Sequence, residues 1–459
     1  MTLKSTLLLF AGSLALLTPN KGFSQKLYTT SPSGHAVIMY NAATNTVTQV
    51  APFNTVNIAQ PIGPLLHTGN GVLYGLANNS SNLYGAIYKT DTTSGTVSTL
   101  YQFTNNNRSV SGLTLANNGK LYTLAATSTS NTTGIYSFDT TSLAYTKEYE
   151  IIGNTGSGQA AVLLKASNGL LYGVVRAGGA NNMGILFSFN PSNNAYTSLY
   201  DFNTANGTNP NAGLIQASNG KLYGVTAYGG VNDKGVIYSY DIASNTYTKL
   251  YDFVQSGGES PSAPLMQASN GLLYGTTMTG GSNFQGVIYS FDLSSNTYTK
   301  LHDFFANGGY GPRTALTQAS NGLLYGTANQ GGTNFKGVIF SYDISTSTYT
   351  KLLDGDNTTA GNFTSPFLSF ETAPTGIKEN SNNAFNFSVY PNPCAASFIN
   401  IRSDKKVAAF QIINSLGQLV KSGLCEENKI SVTDLNAGVY TLIICDKNLQ
   451  KSHSLFIKN

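Results

Sequence analysis

The sequence predicts an all-β chain: a seven-bladed β-propeller with four-stranded blades and N/C-terminal strand closure, followed by a small antiparallel β-sandwich. Three observations lead there. A Leu-Tyr pair recurs with its tyrosine at Tyr28, Tyr74, Tyr122, Tyr172, Tyr223, Tyr274 and Tyr325, at intervals of 46, 48, 50, 51, 51 and 51 residues. That period suits a propeller blade and is too long for one coil of a β-helix. Charged residues make up only 10% of the chain, and Gly, Asn, Ser, Thr and Tyr take their place, a composition of strands and turns. Finally, each unit contains four runs rich in aromatic and β-branched residues. In the sixth these are Pro264 to Ser269, Leu272 to Thr277, Gly286 to Asp292 and Tyr298 to Phe304.

In chain order, residues 1–25 read as a secretory signal peptide. Lys4 precedes an apolar run, Leu7 to Leu17, that is too short to span a bilayer, and small residues precede a cut near Ser24 or Gln25. No later segment is apolar enough to cross a membrane once the signal is removed. Residues 26–370 are the propeller. Asn-Gly pairs at Asn70-Gly71, Asn118-Gly119, Asn168-Gly169, Asn219-Gly220, Asn270-Gly271 and Asn321-Gly322 read as type I′ turns between first and second strands, with positive φ at both residues. Asp-x-x-Ser-Asn-Thr turns, as at Asp241 to Thr246 and Asp292 to Thr297, join third to fourth strands. The first unit begins on its second strand, at Lys26-Leu27-Tyr28, and Phe363 to Phe370 stands in register with the missing first strand. The last strand is therefore expected to complete the first blade and remove an exposed edge. Residues 371–385 are polar, with Pro, Gly and Asn, and read as a linker. Residues 386–459 carry short strands from Ser397 to Arg402, Val407 to Asn414, Gln418 to Leu424, Ile430 to Val432, Gly438 to Cys445 and Ser452 to Lys458, which predicts the sandwich.

Two resemblances follow from particular residues. Leu199 to Asp241 (LYDFNTANGTNPNAGLIQASNGKLYGVTAYGGVNDKGVIYSYD) resembles the GloVer-type tandem repeat of bacterial surface and secreted proteins. The earlier units depart from it: Leu-Tyr-Gly becomes Leu-Tyr-Thr at Tyr28 and Tyr122, and Gly-Gly is absent from the first three. This resemblance implies export and no particular activity. The C-terminal region resembles the type A sorting domain of type IX secretion, through Tyr390-Pro391-Asn392-Pro393, Asn414 to Gln418, Asp434 to Tyr440 with Leu435, Gly438 and Tyr440, and a basic-tipped last strand ending in Lys458. It implies an address read by the outer-membrane translocon of a Gram-negative bacterium, with the cargo secreted or attached to the cell surface.

Charge and chemistry narrow the function. Between Lys26 and Phe370 fourteen Lys/Arg balance fourteen Asp/Glu, so the basic stripe that nucleic acid requires is missing. Cys394, Cys425 and Cys445 allow one disulfide in three pairings, match no zinc spacing, and read as small core residues. The four histidines fall on unrelated repeats, and His302 occupies the slot of Tyr200 and Tyr251. No catalytic residue, metal site or cofactor is expected. The recurring aspartates Asp201, Asp252 and Asp303 and the loop asparagines Asn82, Asn131, Asn181, Asn232, Asn283 and Asn334 read as turn residues that maintain each blade.

Binding is better sought where blades differ. The loop between second and third strands and the loop between blades should emerge on one face, and there Arg176, Tyr228, Tyr310 and Arg313 form a candidate aromatic-and-cation patch for a glycan or protein ligand. The leading expectation is a noncatalytic binding or adhesion module. The alternatives are an extracellular polysaccharide lyase or hydrolase using the propeller funnel, by fold analogy alone, and a structural surface spacer.

Overall fold

The computed structural model describes residues 26–32, 35–53, 60–68, 71–78, 85–103, 111–126, 133–151, 161–356, 366–369, 387–392, 394, 397–414, 419–425, 428–436, 438–446 and 451–458. The expected signal peptide, the linker, Asn70, Asn82, Asn131, Phe363, Phe370 and Pro393 lie outside them. The chain divides into two compact units, within residues 1–372 and 373–459. Both are all-β, and helix among the described residues is confined to three single turns, Thr204–Asn206, Gln255–Gly257 and Ala306–Gly308.

The first unit holds seven four-stranded antiparallel sheets of propeller type. In the fifth, Ile215–Gln216, Leu222–Thr226, Val236–Asp241 and Thr246–Asp252 pair in that order. The second strand is wholly buried and the third nearly so, while the fourth alternates between half-buried and exposed positions. First strands are shorter than the sequence reading expects. In the sixth sheet only Met266–Gln267 pairs, rather than Pro264 to Ser269. Pro264 has no N–H to give a ladder, and Gly213 at the matching position of the fifth sheet has no side chain to pack.

The Asn-Gly turns also differ from expectation. Positive φ falls on the glycine alone, as at Gly220 (φ 81°), and the hydrogen bond from Gly220 N–H to Ala217 O makes a type I turn followed by a left-handed glycine. The asparagine works through its side chain. Asn219 Oδ1 accepts Lys221 N–H at 3.1 Å, and its Nδ2 donates to Tyr223 Oη at 2.7 Å. The motif thus braces its own Leu-Tyr tyrosine. Left-handed asparagines sit instead in the turns between third and fourth strands, at Asn45, Asn194, Asn245 and Asn296, and on other loops at Asn182, Asn209 and Asn428.

The glycine of Leu-Tyr-Gly has a steric cause. Gly224 and Gly275 lie opposite Tyr238 and Tyr289 on the third strand. A Cβ on Gly275 would stand 2.5 Å from Tyr289 Cζ, well inside van der Waals contact. Where the motif becomes Leu-Tyr-Thr, the partner changes in the first sheet but remains a tyrosine in the third. Thr29 faces Ile38, and Thr123 faces Tyr136, whose ring stacks on Tyr145 at 4.9 Å and 8°.

The apolar core lies between sheets. One buried cluster joins the third and fourth sheets, others join fourth to fifth, fifth to sixth and sixth to seventh, and two more link first to second and second to third. A further cluster, with Leu27, Ile38, Tyr40, Tyr325, Ile339 and Phe367, joins the first sheet to the seventh. Leu27 and Tyr28 pair with Ser369 and Leu368, so a segment some 340 residues later supplies the fourth strand of the first sheet. Glutamines tie three junctions together: Gln216, Gln267 and Gln318 each accept, at 2.8 Å, the N–H of a serine in the preceding sheet's turn (Ser167, Ser218 and Ser269).

The second unit holds two antiparallel sheets. One contains Phe387–Tyr390, Phe398–Ser403 and Lys429–Ser431; the other contains Leu419–Leu424, Val407–Asn414, Gly438–Asp446 and Lys451–Lys458 in that order. A single buried cluster draws Ile399, Ile401 and Ile430 from the first sheet and Ile412, Leu442 and Phe456 from the second. Cys394 and Cys425 lie in that cluster, Cys445 is partly exposed, and none of the three is joined in a disulfide.

Candidate functional site

Two places in the first unit could carry function: the convergence of the first strands, and the face formed by the loops. At the convergence, leucines such as Leu163, Leu214, Leu265 and Leu316 enter the clusters between sheets, and the residues on either side point the other way. Those residues are Val162 and Leu164 in the fourth sheet, Gly213 and Ile215 in the fifth, and Pro264 and Met266 in the sixth. The approach is close: a Cβ on Gly112 would stand 2.6 Å from Pro64 Cγ and 3.0 Å from Val162 Cγ2. Leu164, Ile215 and Met266 also pack against the next inter-sheet clusters, and the matching positions of the third and seventh sheets carry Thr114 and Thr317, which donate to Leu163 O and Phe367 O. No group of three or more His, Cys, Asp or Glu side chains gathers anywhere among the described residues.

The loop face is built by hydrogen bonds between successive loops. The loop entering the fifth sheet pairs with that sheet's second-to-third-strand loop through Thr208 and Tyr228, which exchange both backbone bonds at 2.8 and 3.2 Å. Glu259 and Thr279 repeat this in the sixth sheet, and Tyr310 and Gln330 in the seventh. Each entering loop also reaches back to the preceding sheet: Asn209 N–H donates to Met183 O, Ser260 N–H to Lys234 O and Gly311 N–H to Gln285 O. The two kinds of loop therefore share one face.

The recurring polar residues serve this scaffold. Asn232 and Asn283 donate Nδ2 to Phe253 O and Phe304 O at 3.0 and 2.9 Å, pinning each loop to the end of its own fourth strand. They do so across 21 residues, not within their own turn, and the left-handed residue is the next one along. Asp252 and Asp303 accept the N–H of Val231 and Ser282 and pair with Lys249 and Lys300. Burial pushes the Asp303 carboxyl up, but hydrogen bonds from Lys300 and Ser282 outweigh it and hold the group below its usual range. His302 does replace a tyrosine. Tyr200 stacks on Tyr247 at 3.7 Å, Tyr251 on Tyr298 at 4.3 Å, and His302 on Tyr349 at 4.1 Å and 4°. Burial lowers the His302 pKa, partly opposed by Asp303, and its Nε2 is buried without a partner.

The four candidate ligand residues fall on three loops. Arg176 is exposed on the fourth sheet's loop and Tyr228, 44% exposed, on the fifth's. Tyr310 and Arg313 belong to the loop entering the seventh sheet, with Tyr310 packed partly against the core and Arg313 exposed. No hydrogen bond or cation–π contact joins the four. The sequence reading missed Phe284 and Phe335, 64% and 73% exposed, on the loops of the sixth and seventh sheets. Their signal is visible: Asn-Asn182 and Asn-Asp233 in the fourth and fifth loops become Asn-Phe284 and Asn-Phe335.

In the second unit the sorting residues hold the fold. Tyr440 and Leu435 are buried in the core cluster, and Tyr440 Oη donates to Asn436 O. Gly438 pairs with Lys458 at the end of the last two strands. Asn392 Oδ1 accepts Ile457 N–H at 2.9 Å, and Cys394 N–H donates to Ile457 O at 2.7 Å, so the opening motif clasps the final strand. Tyr390 and Pro391 precede this clasp, both exposed.

A family profile, the Gloeobacter/Verrucomicrobia repeat, matches residues 109–319 and again 159–390, together more than half of the chain. The chain belongs to this repeat family. A second profile, the secretion system C-terminal sorting domain, matches residues 388–458. That domain marks proteins exported by type IX secretion to the cell surface or extracellular space of Bacteroidetes-type Gram-negative bacteria, and it implies contact with the secretion machinery. No described helix of this repeat protein is long and apolar enough to cross a membrane. No curated protein matches the chain. Among solved structures it is similar to a Lactobacillus plantarum protein, at 11% identity over 75% of this chain and all of that one, with a TM-score of 0.53. It is also similar to PorZ, a bacterial surface component of the type IX secretion system of Porphyromonas gingivalis, at 13% identity and a TM-score of 0.46. That match covers 93% of this chain, which spans 63% of PorZ. At such identities the first likeness is one of fold.

Proposed function

We propose that this repeat protein is a noncatalytic binding module of the cell exterior, engaging a glycan or protein ligand through its loop face. One observation carries the reading: the side chains near the meeting of the first strands, Pro64, Val162, Thr114 and Thr317 among them, are apolar or hydroxyl-bearing, while variation gathers on the loops. A hydrolase or lyase in the funnel needs converging acids or a base to move protons, and those side chains supply none. On this reading the seven sheets are the blades of a closed propeller spanning residues 26–370. The cluster shared by the first and seventh sheets and the pairing of Leu27 with Ser369 support closure. Residues 1–25 act as a cleaved signal peptide, 371–385 as a linker, and 386–459 as a β-sandwich, a reading supported by the cluster shared between its two sheets. Arg176, Tyr228, Tyr310 and Arg313 are ligand contacts, in more than one subsite.

The test is binding without turnover. Full chain is applied to a glycan array and to immobilised cell-surface proteins, and parallel incubations with polysaccharides are assayed for new reducing ends and unsaturated products. Saturable binding with no product is expected. Product formation, or silence on both surfaces, would overturn the reading.

A further inference from the structure

We propose that Phe284 and Phe335, with Tyr310 between them, form a carbohydrate-stacking site at the junction of the sixth and seventh sheets. The inference rests on the binding reading above and names its ligand class. The four regular loops run Gly-Gly-Ala-Asn-Asn182, Gly-Gly-Val-Asn-Asp233, Gly-Gly-Ser-Asn-Phe284 and Gly-Gly-Thr-Asn-Phe335. Their last residues all have left-handed backbones, with φ of 54°, 52°, 58° and 55°. Asn and Asp tolerate that region; for a bulky aromatic it is an outlier. Asn182 and Asp233 also accept a hydrogen bond from Gly178 N–H at 3.0 Å and Gly229 N–H at 2.8 Å, which a phenyl ring cannot do. Phenylalanine therefore gives up both local advantages. It gains no burial in return, since both rings stand mostly in solvent. The same loops exchange Ala180 and Val231 for Ser282 and Thr333, whose hydroxyls bond Asp303 and Asp354, but this leaves both rings in solvent; large exposed rings held on a left-handed backbone point to function.

The rings are firmly mounted. Asn283 and Asn334 pin the two loops to Phe304 O and Gly355 O, and Asp303 and Asp354 accept the N–H of Ser282 and Thr333 at 2.7 and 2.8 Å. One entering loop clasps both. Gly311 N–H donates to Gln285 O beside Phe284, and Tyr310 pairs with Gln330 in the loop that ends at Phe335. Arg313, two residues past Gly311, is exposed. A protein interface of ordinary size needs a contiguous apolar centre, whereas these rings are set apart by Ser282, Asn283, Gln285, Thr333, Asn334 and Lys336. A polysaccharide suits such spacing. Each pyranose offers a small face of C–H groups that fits one ring and is attracted to its electronegative face, and rigid mounting removes the cost of ordering the site.

The experiment is affinity electrophoresis of the full chain in gels containing laminarin (a β-1,3-glucan), hydroxyethylcellulose (a β-1,4-glucan) or galactomannan. Wild type is expected to be retarded in at least one. Phe284→Asn with Phe335→Asn, which restores the residue of the sibling loop, should weaken retardation at least tenfold while raising the melting temperature by roughly 1–3 °C. Phe335→Tyr should keep the retardation. Because the double variant is expected to fold better than wild type, loss of binding cannot be laid to misfolding. The proposal is overturned if the double variant binds as wild type does, or if wild type runs free in all three gels. Should wild type run free yet capture a cell-surface protein, the binding reading stands and the carbohydrate assignment falls.

Discussion

The first and third sheets and the last four solve the same packing problem in different ways. In the fourth to seventh, as in the second, a glycine lies beneath the third-strand aromatic ring; an asparagine staples each Gly-Gly loop, joined in the fifth to seventh by an aspartate, and glutamines of the fifth to seventh bridge back to the preceding turn. In the first, Thr29 faces Ile38, with no ring to accommodate. In the third, Thr123 hydrogen bonds with Ser111 at 3.2 Å, and the Tyr136 ring leans over Gly134 and stacks on Tyr145. Departures in the early sheets thus come in compensated pairs. This teaches how to read the repeat: residues that recur, or that change together with a neighbour, maintain the sheet. Phe284 and Phe335 change together with Ser282 and Thr333, whose hydroxyls bond Asp303 and Asp354, yet their rings stay in solvent.

The largest effect should come where the two regions meet. Phe367 is buried between the first and seventh sheets, 6.2 Å from the Tyr40 ring. Phe367→Ala should cost about 3–5 kcal/mol in urea unfolding; a loss below about 1 kcal/mol would mean that the seam contributes little. A smaller effect sharpens the comparison of pairs. Gly224→Thr places a side chain against the Tyr238 ring and should cost about 1–3 kcal/mol. Adding Tyr238→Ile reproduces the Thr29–Ile38 pair, and the double variant should be more stable than the sum of the single losses by at least about 1 kcal/mol. Simple additivity would show the pairing to be incidental.

The smallest effect is one of pH. Burial among Phe304, Phe305 and Tyr349 lowers the pKa of folded His302, with Asp303 opposing. The unfolded chain then binds more protons, so this residue's contribution is complete above the ordinary imidazole pKa and is lost as pH falls through the lower folded value. Asp303, held by Lys300 and Ser282, and Asp354, held by Lys351 and Thr333, are both lowered below the ordinary carboxylate range, away from that window. His302→Tyr, the residue of the sibling sheets, should narrow the difference in melting temperature between pH 7.5 and pH 5. An unchanged difference would place the acid sensitivity elsewhere.

Much of the fold is legible because its causes are local. The Leu-Tyr period counts the sheets, since each buried tyrosine needs its own second strand, and the strands of the second unit follow their apolar alternation closely. Turn geometry is less legible. Asn-Gly supports two turn types, and what decides here is the bond from Asn219 to Tyr223, which depends on a side chain four residues away. First-strand length is hidden as well, because Pro264 and Gly213 look like strand residues until close approach around them is known. At the candidate site, Tyr310 and Arg313 are legible as loop variation. Phe284 and Phe335 are harder to find, because an apolar residue in a repeat reads as core until its exposure is measured. For the sorting motif the reverse holds: Tyr440 and Leu435 read as a recognition signal, and the structure engages them in the core.

The central claim is that ligand meets this protein on the loops of the sixth and seventh sheets and not where the first strands converge. Hydrogen–deuterium exchange of the full chain, with and without the polysaccharide that retards it most, tests this directly. The account predicts slowed exchange confined to residues 277–286, 305–313 and 329–337. Protection centred on the first strands, around Val162 and Met266, with those loops unchanged, would contradict it.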